Sequence, residues 1–294
     1  MAWSTITSAA RRLWSGSSVE RCLYDCVTFF NEREILEFRL DYLKDIVDYF
    51  VIVEADQTYS GRPKAQNFCS EWVPDDVKDR IRYACISFPQ NLPDPAWVSG
   101  VSECSRLAWK RENYQRARLI EGLYDANSED LVLVSDVDEI PDRDRLRELK
   151  TRSRLPNLAP VIALEMSVFY YDIHGLASYA DGRPFRWRRP KLTTRKYLEC
   201  TNRIRLAPPD STVSDAGWHF TYFGGVDRVR TKLGAYAHTE AATAEHLAAV
   251  PERVRGRHDV AGRDEFAYTD TYDASKLPRL IFSEKYRSFF DGSP

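Results

Sequence analysis

The chain has 294 residues, enough for one large domain or two small ones with a sizeable core. Its 42 Lys and Arg residues nearly balance its 44 Asp and Glu residues, and the net charge of -2 supplies no field that would hold nucleic acid nonspecifically. We therefore expect no nucleic acid partner, and an anionic ligand would have to be held by local cations.

The N-terminal segment, residues 1–21, carries apolar side chains beside Arg11 and Arg12. It has no apolar region of signal-peptide length and nothing near the roughly 20 apolar residues that a membrane span requires. We expect either a disordered leader or a short basic helix that touches a membrane surface peripherally. The six cysteines are scattered and lack zinc-ligand spacing, which predicts reduced core thiols in a cytoplasmic protein.

Buried strands and helices alternate in the first half of the chain. The apolar runs that predict the strands cover residues 22–30, 48–55, 80–88 and 129–136. A helix should follow the first strand, with Asn31 as its N-cap because Glu34 stands at capping-box spacing. Another helix is predicted over residues 103–125. This alternation indicates an α/β fold with a Rossmann-like parallel sheet, whose ligands lie at the carboxyl ends of the strands.

The second half of the chain is less regular. Residues 161–171 predict one strand, residues 183–198 form a basic and extended stretch, and "GWHFTYFGG" leads into a helix from Val226 to about His238. We interpret this half as strands and loops that complete a site founded by the first half.

The stretch "EDLVLVSDVDEIPD" places acids directly after four consecutive apolar residues. Asp136 and Asp138 are two residues apart, so in an extended strand both side chains point to one face. Unpaired carboxylates so close repel each other, and a shared cation neutralises them. Oxygen ligands suit Mg²⁺ or Mn²⁺, which takes its other ligands from substrate phosphates and water. The structural alternative is that Asp138 or Glu139 caps the helix that "PDRDRLRELK" predicts.

Several separate stretches resemble glycosyltransferase family 17, the β-1,4-mannosyl-glycoprotein 4-β-N-acetylglucosaminyltransferase family with its bacterial relatives. They are "YDCVTFFNEREILEFRLDYLKDIVDYFVIVEADQTYSGRPK", "LVLVSDVDEIP", "AGWHFTYFGG" and "KLPRLIFSEKYRSFF". The likeness runs in order over about residues 22 to 290.

The resemblance implies a GT-A fold, with one catalytic domain over residues 22–294 that divides into a nucleotide-sugar half (22–150) and an acceptor half (151–294). It implies a UDP-sugar donor, in particular UDP-N-acetylglucosamine, a Mn²⁺ or Mg²⁺ ion and inversion at the anomeric carbon. The acceptor would be a glycan or lipid-linked oligosaccharide, used in the cytoplasm by an enzyme of the bacterial type.

Carried onto this chain, the resemblance makes Asp136-Val137-Asp138 the D-x-D motif. The metal ligands would be drawn from Asp136, Asp138 and His219. Asp138 would contact the metal directly, and Asp136 would face the ribose or a metal-bound water. His219 is included because many GT-A enzymes add a C-terminal His to the metal shell, and a packed or capping imidazole is the alternative.

Five further residues are candidates for contacts with the donor. Asn31 and Glu32 follow the first strand and Glu54 ends the second, so in a GT-A sheet they would lie near the uridine. Glu54 would accept hydrogen bonds from the ribose or the uracil, by analogy with dinucleotide folds. Arg116 and Lys232 are candidate partners of the diphosphate. The alternatives are an N-cap role for Asn31 and cations on a solvated face for Arg116 and Lys232.

An inverting transfer needs a carboxylate that takes the proton of the acceptor hydroxyl. Asp215 is the first candidate because its loop, four residues before His219, should return to the metal site. Glu139 is an alternative base, as are Glu165 and Asp172. Human-type members of the family have no acid at the position of Asp215, which weakens that assignment.

Two other functions compete with glycosyl transfer. A D-x-D after a buried strand also suits a metal-dependent phosphatase or phosphotransferase, although that class carries the pair on an early strand followed by a small hydroxyl residue. The many aromatic residues, 13% of the chain, would also suit a noncatalytic sugar-binding module.

Overall fold

The computed structural model describes residues 4–5, 21–94, 102–152, 161–236, 243–263, 265–269 and 272–292. The predicted leader lies almost wholly outside these residues, so its state stays a prediction. None of the helices in the described ranges has both the length and the apolar character needed to cross a bilayer.

The first of two mixed sheets contains the strands predicted for the first half of the chain. In spatial order its strands are β1 (Ser4–Thr5), β4 (Ile81–Ile86), β3 (Tyr49–Ala55), β2 (Leu23–Phe29), β5 (Leu131–Asp136), β11 (Lys191–Thr194), β7 (Ile162–Leu164) and β12 (Ser211–Val213). The four strands β4, β3, β2 and β5 are parallel, as the alternation predicts. Strand β11 is antiparallel to β5, and β1 is antiparallel to β4.

The four parallel strands are buried over nearly their whole length because the sheet is covered on both faces. Alternate residues of β2 enter two different apolar clusters: Leu23 and Val27 pack on one side, and Tyr24 and Cys26 on the other. All six cysteines are free thiols, but only Cys22 and Cys26 are buried in the core: Cys69, Cys85 and Cys200 are half-buried, and Cys104 is exposed.

Helices α1 (Arg33–Leu43) and α2 (Glu103–Ala117) cover this sheet. The predicted cap of α1 is wrong: Glu32 holds the N-cap position, and no side chain there caps the helix. Instead, the Glu32 carboxylate accepts hydrogen bonds from the N–H groups of Phe30 and Asn31, both at 3.1 Å. Helix α2 tightens into a 3₁₀ turn after residue 117, so the α-helix predicted over 103–125 is shorter than expected.

The second sheet is built mainly from the second half of the chain. Its strands in spatial order are β14 (Phe266–Thr269), β9 (Leu176–Tyr179), β8 (Met166–Tyr170), β13 (Gly217–Thr221) and β6 (Glu139–Pro141), and β10 (Arg186–Trp187) pairs with β8. The strand predicted over 161–171 is therefore two strands in different sheets, β7 and β8, separated by Glu165. The remaining helices are α3 (Arg143–Thr151), α4 (Thr201–Leu206), α5 (Val226–Ala235), α6 (Ala244–Arg255) and α7 (Arg287–Phe290).

The chain passes from the first sheet to the second through the D-x-D segment. Strand β5 ends at Asp136, and β6 begins at Glu139 in the other sheet. The largest apolar cluster takes residues from both halves of the chain, from Leu23 to Phe290. The two acids of the motif therefore lie where the sheets meet. The helix cap considered for Asp138 and Glu139 belongs to Asp142, whose side chain accepts from the N–H groups of Asp144 and Arg145.

Candidate active site

The site forms where the order of the parallel strands reverses. The chain runs outward through β2, β3 and β4, and then returns to β5 on the other side of β2. In open α/β sheets, ligands bind in the crevice at the carboxyl ends of the two strands that flank such a reversal. Here those ends are Phe29 and Asp136, and Asp136 lies directly opposite Thr28, the neighbour of Phe29.

A cavity of about 440 Å³ opens at this crevice. Its volume falls in the range typical of small-molecule sites. Six of the residues predicted from the sequence line it: Glu32, Arg116, Asp136, Asp138, His219 and Lys232. Residues as far apart along the chain as Glu32 and Lys232 are thus brought together in one cavity.

Asp136 is held by two arginines. Its Oδ1 accepts a hydrogen bond from Arg116 Nη2 at 2.9 Å, and its Oδ2 accepts one from Arg205 Nη2 at 2.6 Å. Burial raises the pKa of Asp136, but the charges of Arg205 and Arg116 outweigh it and hold the pKa below its usual range. Asp136 is therefore an ionised anchor for cations of the protein itself.

Glu139 is fully buried beneath the cavity and does not line it. Its two oxygens accept hydrogen bonds from Arg205 at 2.7 and 2.8 Å, and they also accept from the Asp136 N–H and the Trp187 indole. This corrects the expectation that Glu139 acts as a base, because every contact it makes is structural. Arg205, on the short helix α4, was missed by the sequence reasoning, since nothing in "TNRIRL" distinguishes it from a surface cation.

Asp138 has different partners from Asp136. Its Oδ2 accepts from Lys232 Nζ at 2.6 Å, and its Oδ1 lies 3.5 Å from His219 Nε2. The pairing of β6 with β13 causes this proximity, because it sets His219 directly opposite Glu139, the neighbour of Asp138. Burial raises the pKa of Asp138, but Lys232 and His219 together hold it far below its usual range.

The predicted metal ligands fit a divalent ion only in part. Among the described residues, no group of three His, Cys, Asp or Glu side chains is arranged to hold a metal. Both oxygens of Asp136 are taken by guanidinium groups, whereas Asp138 and His219 face each other across 3.5 Å on the cavity wall. Two protein ligands are enough for a hard ion that takes the rest from phosphates and water. We therefore retain Asp138 and His219 as candidate ligands.

The turn that carries the two aspartates is held from below by Arg39. This arginine of α1 is fully buried and forms a two-point ion pair with Asp25, at 2.6 and 2.7 Å. Its Nη1 donates to the carbonyl oxygens of Glu139 at 2.7 Å and of Asp136 at 3.2 Å. The sequence reasoning missed Arg39 because α1 was read only for its apolar face.

Glu54 and Asn31 do not line the main cavity. The Glu54 carboxylate is fully buried and accepts from the N–H groups of Asn67 and Phe68 at 2.7 and 3.0 Å, as well as from Lys64 and Tyr83. It therefore organises the loop after β3, which corrects its expected role at the ribose. Asn31 lines a separate small cavity of about 30 Å³ next to the main one.

Asp215 does not face the main cavity. Its side chain is 75% exposed and lies 3.7 Å from Arg186, in a surface groove that also contains Trp218. Along β13, Trp218 and Phe220 enter the apolar core, whereas His219 and Thr221 face the cavity. The expectation that the Asp215 loop returns to the metal site is therefore corrected.

One wall of the cavity is aromatic. Tyr170, Phe185, Trp187 and Tyr222 line it, and the Trp187 ring lies 5.1 Å from that of His219 at an angle of 33°. Flat rings of this kind stack on the apolar faces of sugars and bases.

A sequence profile of glycosyltransferase family 17 matches residues 4–266, and the chain belongs to this family.

The chain is also similar to individual curated proteins. It is 27% identical to the beta-1,4-mannosyl-glycoprotein 4-beta-N-acetylglucosaminyltransferases of Rattus norvegicus and of Homo sapiens over 137 residues. The match to each covers 45% of this chain and 24% of the relative, so it spans about a quarter of the length of these proteins.

Proposed function

We propose that the chain is a GT-A enzyme that transfers N-acetylglucosamine from UDP-N-acetylglucosamine to a glycan or lipid-linked oligosaccharide, with inversion. The observation that carries the proposal is the pairing of Asp138 with Lys232 and His219 inside a cavity at the strand reversal. Family membership and the N-acetylglucosaminyltransferase relatives support the choice of sugar.

The cations at the cavity would bind the diphosphate of the donor. Lys232 reaches Asp138 from α5. Burial lowers the pKa of Lys232, but the charge and hydrogen bond of Asp138 and the charge of Glu32 together raise it above its usual value, so Lys232 stays protonated. Its ammonium group can exchange Asp138 for a phosphate oxygen, and Arg116 lines the same cavity. A bound Mn²⁺ or Mg²⁺, held by Asp138 and His219, would supply Lewis-acid neutralisation of the charge on the departing UDP.

Glu32 is our candidate for the base. Within the described residues, four acids line the cavity, and Glu112, Asp136 and Asp138 each form ion pairs with Arg or Lys, whereas Glu32 does not. The backbone N–H groups of Phe30 and Asn31 hold its carboxylate in place. Glu32 can therefore take the acceptor proton without first breaking an ion pair.

Two observations bear on the competing functions and on the compartment. A phosphatase that used Asp136 as a nucleophile would need a free carboxylate oxygen, but both oxygens accept hydrogen bonds from arginines. Six free thiols support a cytoplasmic site of action, because thiols persist in a reducing compartment.

The test is donor hydrolysis by the purified chain. Incubation with UDP-N-acetylglucosamine and Mn²⁺, without acceptor, should release UDP slowly, and chelation of the metal should stop the release. Phosphate release from a simple monoester would instead support the phosphatase. Sugar binding with neither reaction would support a noncatalytic module.

A further inference from the structure

Glu112 has one carboxylate oxygen with no hydrogen-bond donor. This residue of α2 lines the main cavity and is 8% exposed. Its Oε1 accepts from Arg116 Nη2 at 2.7 Å, but its buried Oε2 accepts no hydrogen bond from any described residue. Buried polar atoms almost always have a partner, and exceptions mark strain, function or a missing ligand.

The missing partner must be a hydrogen-bond donor without negative charge. A phosphate would repel the carboxylate, and Arg116 already takes the other oxygen. Within UDP-N-acetylglucosamine, this leaves the hydroxyl groups of the ribose, the N–H group of the base, and the hydroxyl and acetamido N–H groups of the sugar.

The surroundings of Glu112 favour the nucleoside. Gln115, one turn further along α2, donates to the carbonyl oxygens of Phe29 at 3.3 Å and of Val53 at 2.7 Å, which fixes this part of the helix over the ends of β2 and β3. Tyr59 and Tyr236 line the same cavity as Glu112. Burial raises the pKa of both phenols, and the charge of Glu112 raises it further. Rings beside a hydrogen-bond acceptor suit a nucleoside.

Another part of the same cavity is already assigned. Lys232 and Asp138 pair with each other there, and Glu112 is connected to the D-x-D motif through Arg116 and Asp136. If Lys232 holds the diphosphate, the nucleoside extends from it toward α2.

We infer that Glu112 accepts a hydrogen bond from the nucleoside of the donor, through a ribose hydroxyl or the base N–H, and so orients the donor in the cavity. The inference depends on the proposed function, because it assumes a uridine diphosphate ligand. It assigns to Glu112 the recognition role that the sequence placed on Glu54.

The first experiment measures the binding of UDP by calorimetry. We expect Glu112→Gln to weaken binding roughly tenfold to hundredfold, the value of a hydrogen bond to a charged group. The matched control is Glu121→Gln, which removes the same charge from an acid that pairs with Arg118 and does not line the cavity. Its affinity for UDP should equal that of the wild type.

Nucleotide analogues identify which group of UDP donates the hydrogen bond to Glu112. The first comparison uses only the wild type. We expect the wild type to lose affinity for one of 2′-deoxy-UDP, 3′-deoxy-UDP and N3-methyl-UDP, and the Glu112→Gln variant to show no further loss with that analogue. The ribose and the base are distinguished by which analogue behaves in this way.

Three results would overturn the inference. The wild type could bind all three analogues as tightly as UDP. The Glu112→Gln variant could bind UDP as tightly as the wild type. It could also lose affinity for UDP-N-acetylglucosamine alone, which would place the sugar at this oxygen. In each case UDP binding by the wild type leaves the proposed function standing. If the wild type binds no uridine diphosphate, the proposed function fails and this inference fails with it.

Discussion

Asp136 and Asp138 both line the cavity, although the chain turns at residues 137–138 and does not continue there as the extended strand that the spacing argument assumed. The two carboxylates have different partners. Asp136 accepts from two arginines, and Asp138 accepts from a lysine and faces a histidine. The repulsion expected between the two carboxylates is therefore offset by cations of the protein. The spacing alone could not reveal this, because Arg116, Arg205 and Lys232 reach the motif from three separate helices.

Asp138→Asn should reduce turnover by about 100-fold or more, because the neutral amide weakens both the candidate metal contact and the hydrogen bond from Lys232. Steady-state rates and a Mn²⁺ titration in the presence of UDP measure the effect, and circular dichroism checks the fold. The matched control is Asp215→Asn, which we expect to be nearly as active as the wild type because Asp215 is exposed away from the cavity. Equal activity in both variants would place the metal elsewhere.

Glu32→Gln tests the assignment of the base. We expect kcat to fall by about 10² to 10⁴-fold with little change in the KM for the donor, since a base acts only in the transition state. Initial rates over a range of donor concentrations separate the two constants. A raised KM with unchanged kcat would instead make Glu32 the donor contact that the sequence predicted.

At the scale of elements, the turn between β5 and β6 depends on a helix. Arg39 of α1 donates to backbone oxygens on this turn and pairs with Asp25 of β2. Its hydrogen bonds thus connect one helix, one strand and the turn that carries the site. A lysine has the charge but not the fork of donors that these contacts use.

Arg39→Lys should lower turnover by about 100-fold through a small displacement of the turn, with the remaining activity sensitive to donor concentration. The control is Arg82→Lys in β4, another buried arginine, which pairs with Asp125 at 2.7 and 2.9 Å and contacts the Gly122 carbonyl. We expect both variants to lose stability in urea unfolding, but only Arg39→Lys to lose activity beyond its loss of folded protein. Parallel losses of activity in the two variants would reduce Arg39 to a general stabilising role.

The elements that the sequence predicted well are those with a strong local pattern. The four strands of the first half are six or seven residues long and mostly apolar, and the sequence predicts each of their ends to within two residues. The prediction of one strand over residues 161–171 is wrong because Glu165 is the only charged residue in an otherwise largely apolar stretch before the strand ends. The chain nevertheless changes from one sheet to the other at Glu165.

The site was predictable where residues carry a motif and not where they depend on tertiary contacts. The D-x-D and His219 were found by motif and resemblance, and they line one cavity. Arg205 lies 66 residues from its partner Glu139, and Arg39 lies about 100 residues from the turn that it supports. A single buried arginine has no local sequence pattern, so neither could be identified before the fold was known.

At the scale of the whole molecule, both halves of the chain build the cavity walls. Glu32 and Arg116 come from the first half, and His219 and Lys232 from the second. A ligand that bridges them stabilises the folded chain as a unit, because it binds only when all the walls are in place.

UDP with Mn²⁺ should therefore raise the melting temperature. At a ligand concentration 100 times its Kd, the stabilisation is about 2.7 kcal/mol, which corresponds to a rise of several degrees for a chain of this size. Differential scanning fluorimetry measures the shift, and UMP, which lacks the diphosphate, is the control and should give a smaller rise. Equal shifts with UDP and UMP would argue against a diphosphate site at Lys232.

The alternation along β13 limits how this family can vary in length. His219 and Thr221 face the ligand, and Trp218 and Phe220 face the core, so inserting or deleting one residue before the strand would exchange the two sets. Trp218 would then block the crevice, and His219 would lie in the apolar core. Natural gaps in relatives should therefore collect in the connecting loops and spare this five-residue segment.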